Sequence, residues 1–165
     1  MRMSDNGLQF TAAWEEFRSA PYFATEDERR RGIYTWGFGH TGRNPPRINI
    51  TREAALAILR EDVAYAEKKV NEWAHKSITQ PIFDALVDLV INAGEEPIKP
   101  DKKAGDFDDL VTQGRWDELI VQLEFFRKQG GKIIPGLVRR ALARQALAKG
   151  MNWRDAEAVG RNAKV

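Results

Sequence analysis

The sequence predicts an α+β chain, with a small antiparallel sheet near its N-terminus and a helical remainder. Three observations point there. Residues 22 to 50 carry β-prone aromatic segments broken by turn residues. From residue 51 onward, apolar residues instead recur at intervals of three and four. Glycine and proline fall mostly at the ends of those repeats.

Composition sets the outer bounds. A chain of 165 residues is most simply one domain with a substantial core. Hydrophobic residues make up 42% and charged residues 30%, the ordinary balance of a globular protein. The formal charge of +2 and a pI near 8.9 lean basic, which suits an anionic polymer as partner. Without cysteine there is neither a disulfide framework nor thiolate chemistry. Residues 1–7 are polar and lack the apolar run of a signal peptide or membrane anchor.

The first helix is expected from Leu8 and must stop before Pro21, because the residue preceding a proline avoids the helical region. Its apolar stripe is Phe10, Ala13, Trp14 and Phe17, which leaves Glu15 and Glu16 off the stripe near the last turn. The negative dipole end there is a poor place for an anion and a good one for a proton-carrying carboxyl. Residues 22–25 and 33–36 read as strands flanking a charged tip at 26–32, with a third short strand at 47–50.

Thr51 caps a helix running to about residue 74, with Leu56, Leu59, Val63, Ala66, Val70 and Trp73 on one face. Thr79 starts the next helix, where Pro81 is tolerated in the first turn and Gly94 makes the stop. That helix is apolar on several sides, so it belongs at the centre of the helical part. Asp84, Asp88 and Asn92 form its one polar edge. Residues 95–105 form a loop. Asp106 caps a short helix ending at Gly114, and Trp116, Leu119, Ile120, Leu123 and Phe126 make another stripe. Arg139, Arg140 and Arg144 on the helix at 137–149 read as a solvated basic face, and residues 153–159 as a short helix in the tail.

The stretch from Trp14 to Thr41, WEEFRSAPYFATEDERRRGIYTWGFGHT, resembles the opening of the phage-type lysozymes, glycoside hydrolase family 24. The family pattern has a helix-end Glu in a Glu-Gly-x-Arg context and a hairpin with an Asp or Cys nine residues on. A Thr follows six residues later, then an I-G-x-G-H segment. Here Glu15-Glu16-Phe17-Arg18 matches the first element, with Glu16 in the glycine place. Tyr22 matches the strand aromatic, and Thr35-Trp36-Gly37-Phe38-Gly39-His40 the rest. Ile78-Thr79-Gln80, Phe83-Asp84-Ala85-Leu86-Val87, Asn92-Ala93-Gly94, Gly114-Arg115-Trp116-Asp117-Glu118 and Gly136-Leu137-Val138-Arg139-Arg140 follow in the family's order.

The resemblance implies a lysozyme-like fold. A helix-plus-sheet lobe (1–50), a connecting helix (51–75), a helical lobe (76–150) and a tail (151–165) would leave a substrate cleft between the lobes. It also implies hydrolysis of the β-1,4 bond between N-acetylmuramic acid and N-acetylglucosamine in peptidoglycan. Glu15 would protonate the leaving oxygen, and the Thr35 hydroxyl would hold the attacking water on the opposite face. Thr35 is otherwise an ordinary strand residue. Asn92 either contacts an N-acetyl group or caps its helix, and His40 either contacts substrate or holds backbone. The tail lies beyond the matched stretch and is expected to be dispensable.

Two departures stand out. Ala24 occupies the position of the family Asp or Cys, and nineteen residues separate Glu15 from Thr35, five more than in the family. Five extended residues can displace a side chain by up to ~16 Å, so spacing alone cannot place the missing group. Asp27 is the only Asp in the stretch and the candidate for that role, with Glu26 a near rival. Alternatively, Glu26, Asp27 and Glu28 only offset Arg29, Arg30 and Arg31 on an exposed tip.

No cofactor or metal is expected, since His40 and His75 are the only histidines and lack ligand spacing. Gly37-Phe38-Gly39 is too short for a phosphate cradle. The expected enzyme is a monomeric endolysin with peptidoglycan as partner and no nucleic acid. It would reside in the host cytoplasm until a holin-type lesion opens the membrane. Two other classes remain: a catalytically weak wall-binding module and a basic nucleic-acid-binding domain.

Overall fold

Backbone contacts in the computed structural model, which describes residues 1–165, divide the chain into two compact units. One is Thr11–Ala64. The other joins Met1–Phe10 to Tyr65–Val165. The division falls inside the first helix, α1 (Asp5–Trp14), which begins three residues before the expected start at Leu8.

In the unit Thr11–Ala64, α1 ends and the chain enters a three-stranded antiparallel sheet, β1 (Arg18–Tyr22), β2 (Tyr34–Gly37) and β3 (His40–Gly42), in that order. Pro21 lies on the edge strand β1, where a missing N–H is tolerated, and the β1–β2 register shifts between Arg18 and Tyr22. The third strand is not at 47–50 as expected. Gly37-Phe38-Gly39 makes a three-residue turn that folds the chain straight back, so Trp36 faces His40 across β2 and β3. Gly37 (φ 63°) and Gly39 (φ 82°) adopt the left-handed backbone such a turn demands.

The charged tip between the strands is a helix, α2 (Glu26–Arg31). Thr25 caps it by accepting the Glu28 N–H at 3.1 Å, and Gly32 (φ 64°) closes it in the left-handed region. Three acids in the first turn and three arginines in the last complement the helix dipole. Helix α3 (Arg52–Asp62) covers the sheet: Ala55 and Leu59 are buried, as are Trp36 and Phe38. The expected continuous helix at 51–74 is interrupted at Val63, and α4 (Ala64–Trp73) resumes after it.

The other unit is built around α5 (Gln80–Ala93), in which Ile82, Phe83, Ala85, Leu86, Val87 and Leu89 are buried. Each fully buried large side chain contributes roughly 1.5–3 kcal/mol. Asp84 and Asp88 on the polar edge of α5 are buried as well. Asp84 accepts the Ser4 N–H at 2.9 Å, the Ser4 hydroxyl and the Gln80 amide, tying the N-terminal residues to this unit. Helices α6 (Phe107–Gln113) and α7 (Trp116–Gln122) follow, then a 3-10 turn and a two-stranded hairpin, β4 (Lys128–Gln129) and β5 (Lys132–Ile133).

Helix α8 (Pro135–Ala148) packs on α5. Its arginines do not form the solvated face expected from sequence. Arg140 and Arg144 are buried against Asp88, whose carboxylate each reaches at 2.8 Å. In the tail, the short helix expected at 153–159 is present and runs two residues further. Helix α9 (Trp153–Arg161) packs against α8 with Ala156 fully buried. A Cβ at Gly160 would stand 2.3 Å from the Arg139 carbonyl oxygen, so this approach requires glycine. Asn6 fastens the same segment by accepting the Trp153 N–H at 2.8 Å. No helix is long and apolar enough to cross a membrane.

Candidate active site

Glu15 is the first residue beyond α1, and its N–H still bonds the Ala12 carbonyl at 3.2 Å. Its side chain is half-buried, and a Cβ at Gly39 would lie 4.0 Å from Glu15 Oε2. The carboxylate therefore sits against the glycine turn of the β2–β3 hairpin. Glu16 points elsewhere, to an exposed ion pair with Arg18 at 2.9 Å. Two adjacent glutamates are thus separated into a carboxylate held against the sheet and one in solvent.

On the same sheet, Thr35 occupies the centre of β2, opposite Tyr22 on one side and Thr41 on the other. It is only 5% exposed, and its hydroxyl donates to Glu28 Oε2 at 3.2 Å. That same oxygen accepts the Ala24 N–H at 2.7 Å. Asp27, the expected carboxylate, lies elsewhere: it is exposed and pairs with Arg30 at 3.5 Å and Arg31 at 3.3 Å. The reason is helical. Once the tip is α2, neighbouring residues diverge by about 100° around the axis, so 27 and 28 cannot share a direction. Glu26 is likewise exposed. The signal in the sequence was Thr25-x-x-Glu28, a capping-box spacing that announces both the helix start and the inward-turning Glu.

This arrangement sits within a longer match. A model of the phage lysozyme family matches residues 12–144. This chain belongs to the phage lysozyme family. Among curated phage lysozyme relatives, the endolysin of Bacillus phage PZA is 32% identical over 148 residues, covering 89% of this chain and 55% of its own length. The endolysin of Acyrthosiphon pisum secondary endosymbiont phage 1 is 30% identical, with 89% of this chain and 97% of its own covered. This chain spans about half the length of the two Bacillus phage endolysins it matches. Among solved structures, the muramidase domain of SpmX from Asticaccaulis excentricus superposes with a TM-score of 0.71 at 26% identity, over 89% of this chain and 97% of that one. A P22 lysozyme mutant gives 0.73 at 24% identity, over 91% and 99%, which shows that the fold is lysozyme-like.

Other residues singled out from sequence take structural partners. His40 Nδ1 lies 2.9 Å from both Asp62 carboxylate oxygens, which ties β3 to α3, and its ring meets Trp36 edge-on at 4.7 Å. Asn92 accepts from Arg144 Nη2 at 2.8 Å at the end of the Asp88 cluster. It also lines a surface pocket of about 370 Å³ with Ala93, Phe126, Lys128, Gln129 and Leu137. The carboxyls of Asp101, Asp106 and Asp108 converge within 4.8 Å. Their geometry is explained by loop capping, since Asp108 accepts the Asp101 N–H at 3.1 Å.

Proposed function

We propose that this chain is a muramidase that hydrolyses the β-1,4 bond between N-acetylmuramic acid and N-acetylglucosamine in peptidoglycan. The observation that carries the reading is Glu15: a carboxylate at the end of the first helix, set against the turn of the hairpin that bears Thr35. Both residues lie within the stretch matched to phage lysozymes. Glu15 gives its proton to the leaving oxygen, and Thr35 helps hold the water that attacks the anomeric carbon. By resemblance to the family the configuration inverts, a course that needs a second group to activate that water. The relatives named endolysins favour lysis of a bacterial host as the setting. Release through a holin-type lesion and action as a monomer belong to the same proposal.

The test is to incubate purified peptidoglycan with the protein and with Glu15→Gln. Reducing ends would be counted and muropeptides identified by mass spectrometry. The wild type should release disaccharide muropeptides, and the variant should lose most of that rate, since general acid–base help is worth roughly 10²–10⁴-fold. Release no greater than the buffer blank would rule out the enzyme. Co-sedimentation with wall without cleavage would then favour the wall-binding module.

A further inference from the structure

Ala24 stands where the family pattern has an Asp or Cys, and a methyl group can neither bind nor activate water. The structure nevertheless brings a carboxylate to that position. Glu28 is the one residue of α2 that is not exposed. Its Oε2 takes both the Ala24 N–H at 2.7 Å and the Thr35 hydroxyl at 3.2 Å, while Oε1 receives no donor from the protein. We infer that Glu28 is the general base of the reaction, delivered by the extra residues of the hairpin in place of the family's strand carboxylate. This inference rests on the muramidase reading above.

The placement is prepared by the helix itself. In a capping box, the third helical residue reaches back to the N–H of the cap residue. Glu28 follows that path but bonds the N–H one residue earlier, at Ala24, which brings the carboxylate within reach of Thr35 on β2. Two bonds hold Oε2, so the carboxyl group is oriented before substrate arrives, and preorganised groups act with little reorganisation.

The chemistry balances. The Thr35 hydroxyl proton is committed to Glu28 Oε2, so the Thr35 oxygen has lone pairs to offer. A water between Thr35 Oγ1 and Glu28 Oε1 donates one hydrogen to each and keeps a lone pair for attack. Its oxygen bonds to the anomeric carbon as the bond from that carbon to the leaving sugar oxygen breaks. Glu15 supplies the proton taken by the leaving oxygen, and Glu28 Oε1 accepts the proton lost by the water. One water is consumed, and the two carboxyl groups return to their starting states by exchange with solvent.

Glu28→Gln separates this role from simple capping. The amide oxygen can accept from Ala24 N–H and the Thr35 hydroxyl, so the helix keeps both bonds, but it cannot take a proton. With an active wild type, Glu28→Gln should fold normally and lose roughly 10²–10⁴-fold in kcat with little change in KM. A second variant, Glu28→Ala, should regain turnover with added azide and release a glycosyl azide of inverted configuration, which a structural role cannot produce. An active wild type with an undiminished Glu28→Gln overturns the assignment of Glu28 alone. If Glu28→Gln melts far below wild type, azide decides at a temperature where Glu28→Ala is folded: glycosyl azide supports the base, and its absence overturns it. A wild type that releases no muropeptides overturns the muramidase reading and this inference together.

Discussion

Arg144 and Asp88 meet at 2.8 Å with neither side chain exposed, fifty-six residues apart in sequence. Arg140 adds a second guanidinium at 2.8 Å. Burial alone would raise the Asp88 pKa, but the charges and hydrogen bonds of Arg140 and Arg144 outweigh it and hold the group down at about 2. Removing the carboxylate leaves two buried cations without their anion, so Asp88→Asn should cost about 3–5 kcal/mol, read from denaturant unfolding.

The same pair predicts an acid limb. The folded pKa of Asp88 lies below its unfolded value, so the stability it contributes is complete above about pH 4. It is lost as pH falls toward 2, while both guanidiniums stay charged. Stability curves from pH 5 to 2 should fall steeply for wild type and less steeply for Asp88→Asn. Parallel curves would mean that other carboxylates carry the acid limb.

Gly160 lets α9 approach α8 to a distance no other residue allows, with the Arg139 carbonyl 2.3 Å from where a Cβ would be. Gly160→Ala should lose about 1–3 kcal/mol from overpacking. Deleting residues 151–165 should lower Tm further, because it uncovers the face of α8 that carries Ala143. A truncated protein that melts with the full chain would contradict the packing of α9 as a structural element.

Asp27 and Glu26 lie on the outer side of α2, Asp27 in solvent-exposed pairs with Arg30 and Arg31. Such pairs contribute little. Asp27→Asn and Glu26→Gln should both lyse walls at rates near wild type, in contrast to Glu28→Gln. Glu16→Gln, which breaks only the surface pair with Arg18, should behave in the same way. A large loss in Asp27→Asn would return the general base to Asp27.

His40 and Asp62 hold the hairpin on α3 through a bond of 2.9 Å. If the pair acts as a unit, the Tm losses of His40→Ala and Asp62→Ala should not add in the double variant. Additive losses, or a raised KM in His40→Ala alone, would instead give His40 a role at the substrate.

Much was legible in the sequence itself. Apolar recurrence at three and four residues located α7 and, as one unbroken helix, α3 and α4, while local start and stop signals placed α5 from Thr79 to Gly94 and the end of α6 at Gly114. The motif order around Glu15 and Thr35 pointed to the phage lysozymes, because each short motif is local and the order survives although five extra residues separate Glu15 from Thr35. Local signals also described α2 fully, with a cap, a dipole-matched charge order and a closing glycine. Six residues with no apolar repeat still read as a bare tip.

What periodicity could not decide were partnerships between distant residues. A charged residue on a helix reads as solvated until another element brings its counter-ion, and Arg140 and Arg144 met Asp88 only when α8 packed on α5. The choice between Asp27 and Glu28 had the same character. The two are chemically near-equivalent neighbours, and only the direction of a short helix against β2 turned one toward Thr35 and the other into solvent. Sequence determined which residue types stand near Thr35, because their order along the chain is local. Tertiary structure determined which carboxylate reaches the Thr35 hydroxyl, because direction depends on the surface against which a helix is laid.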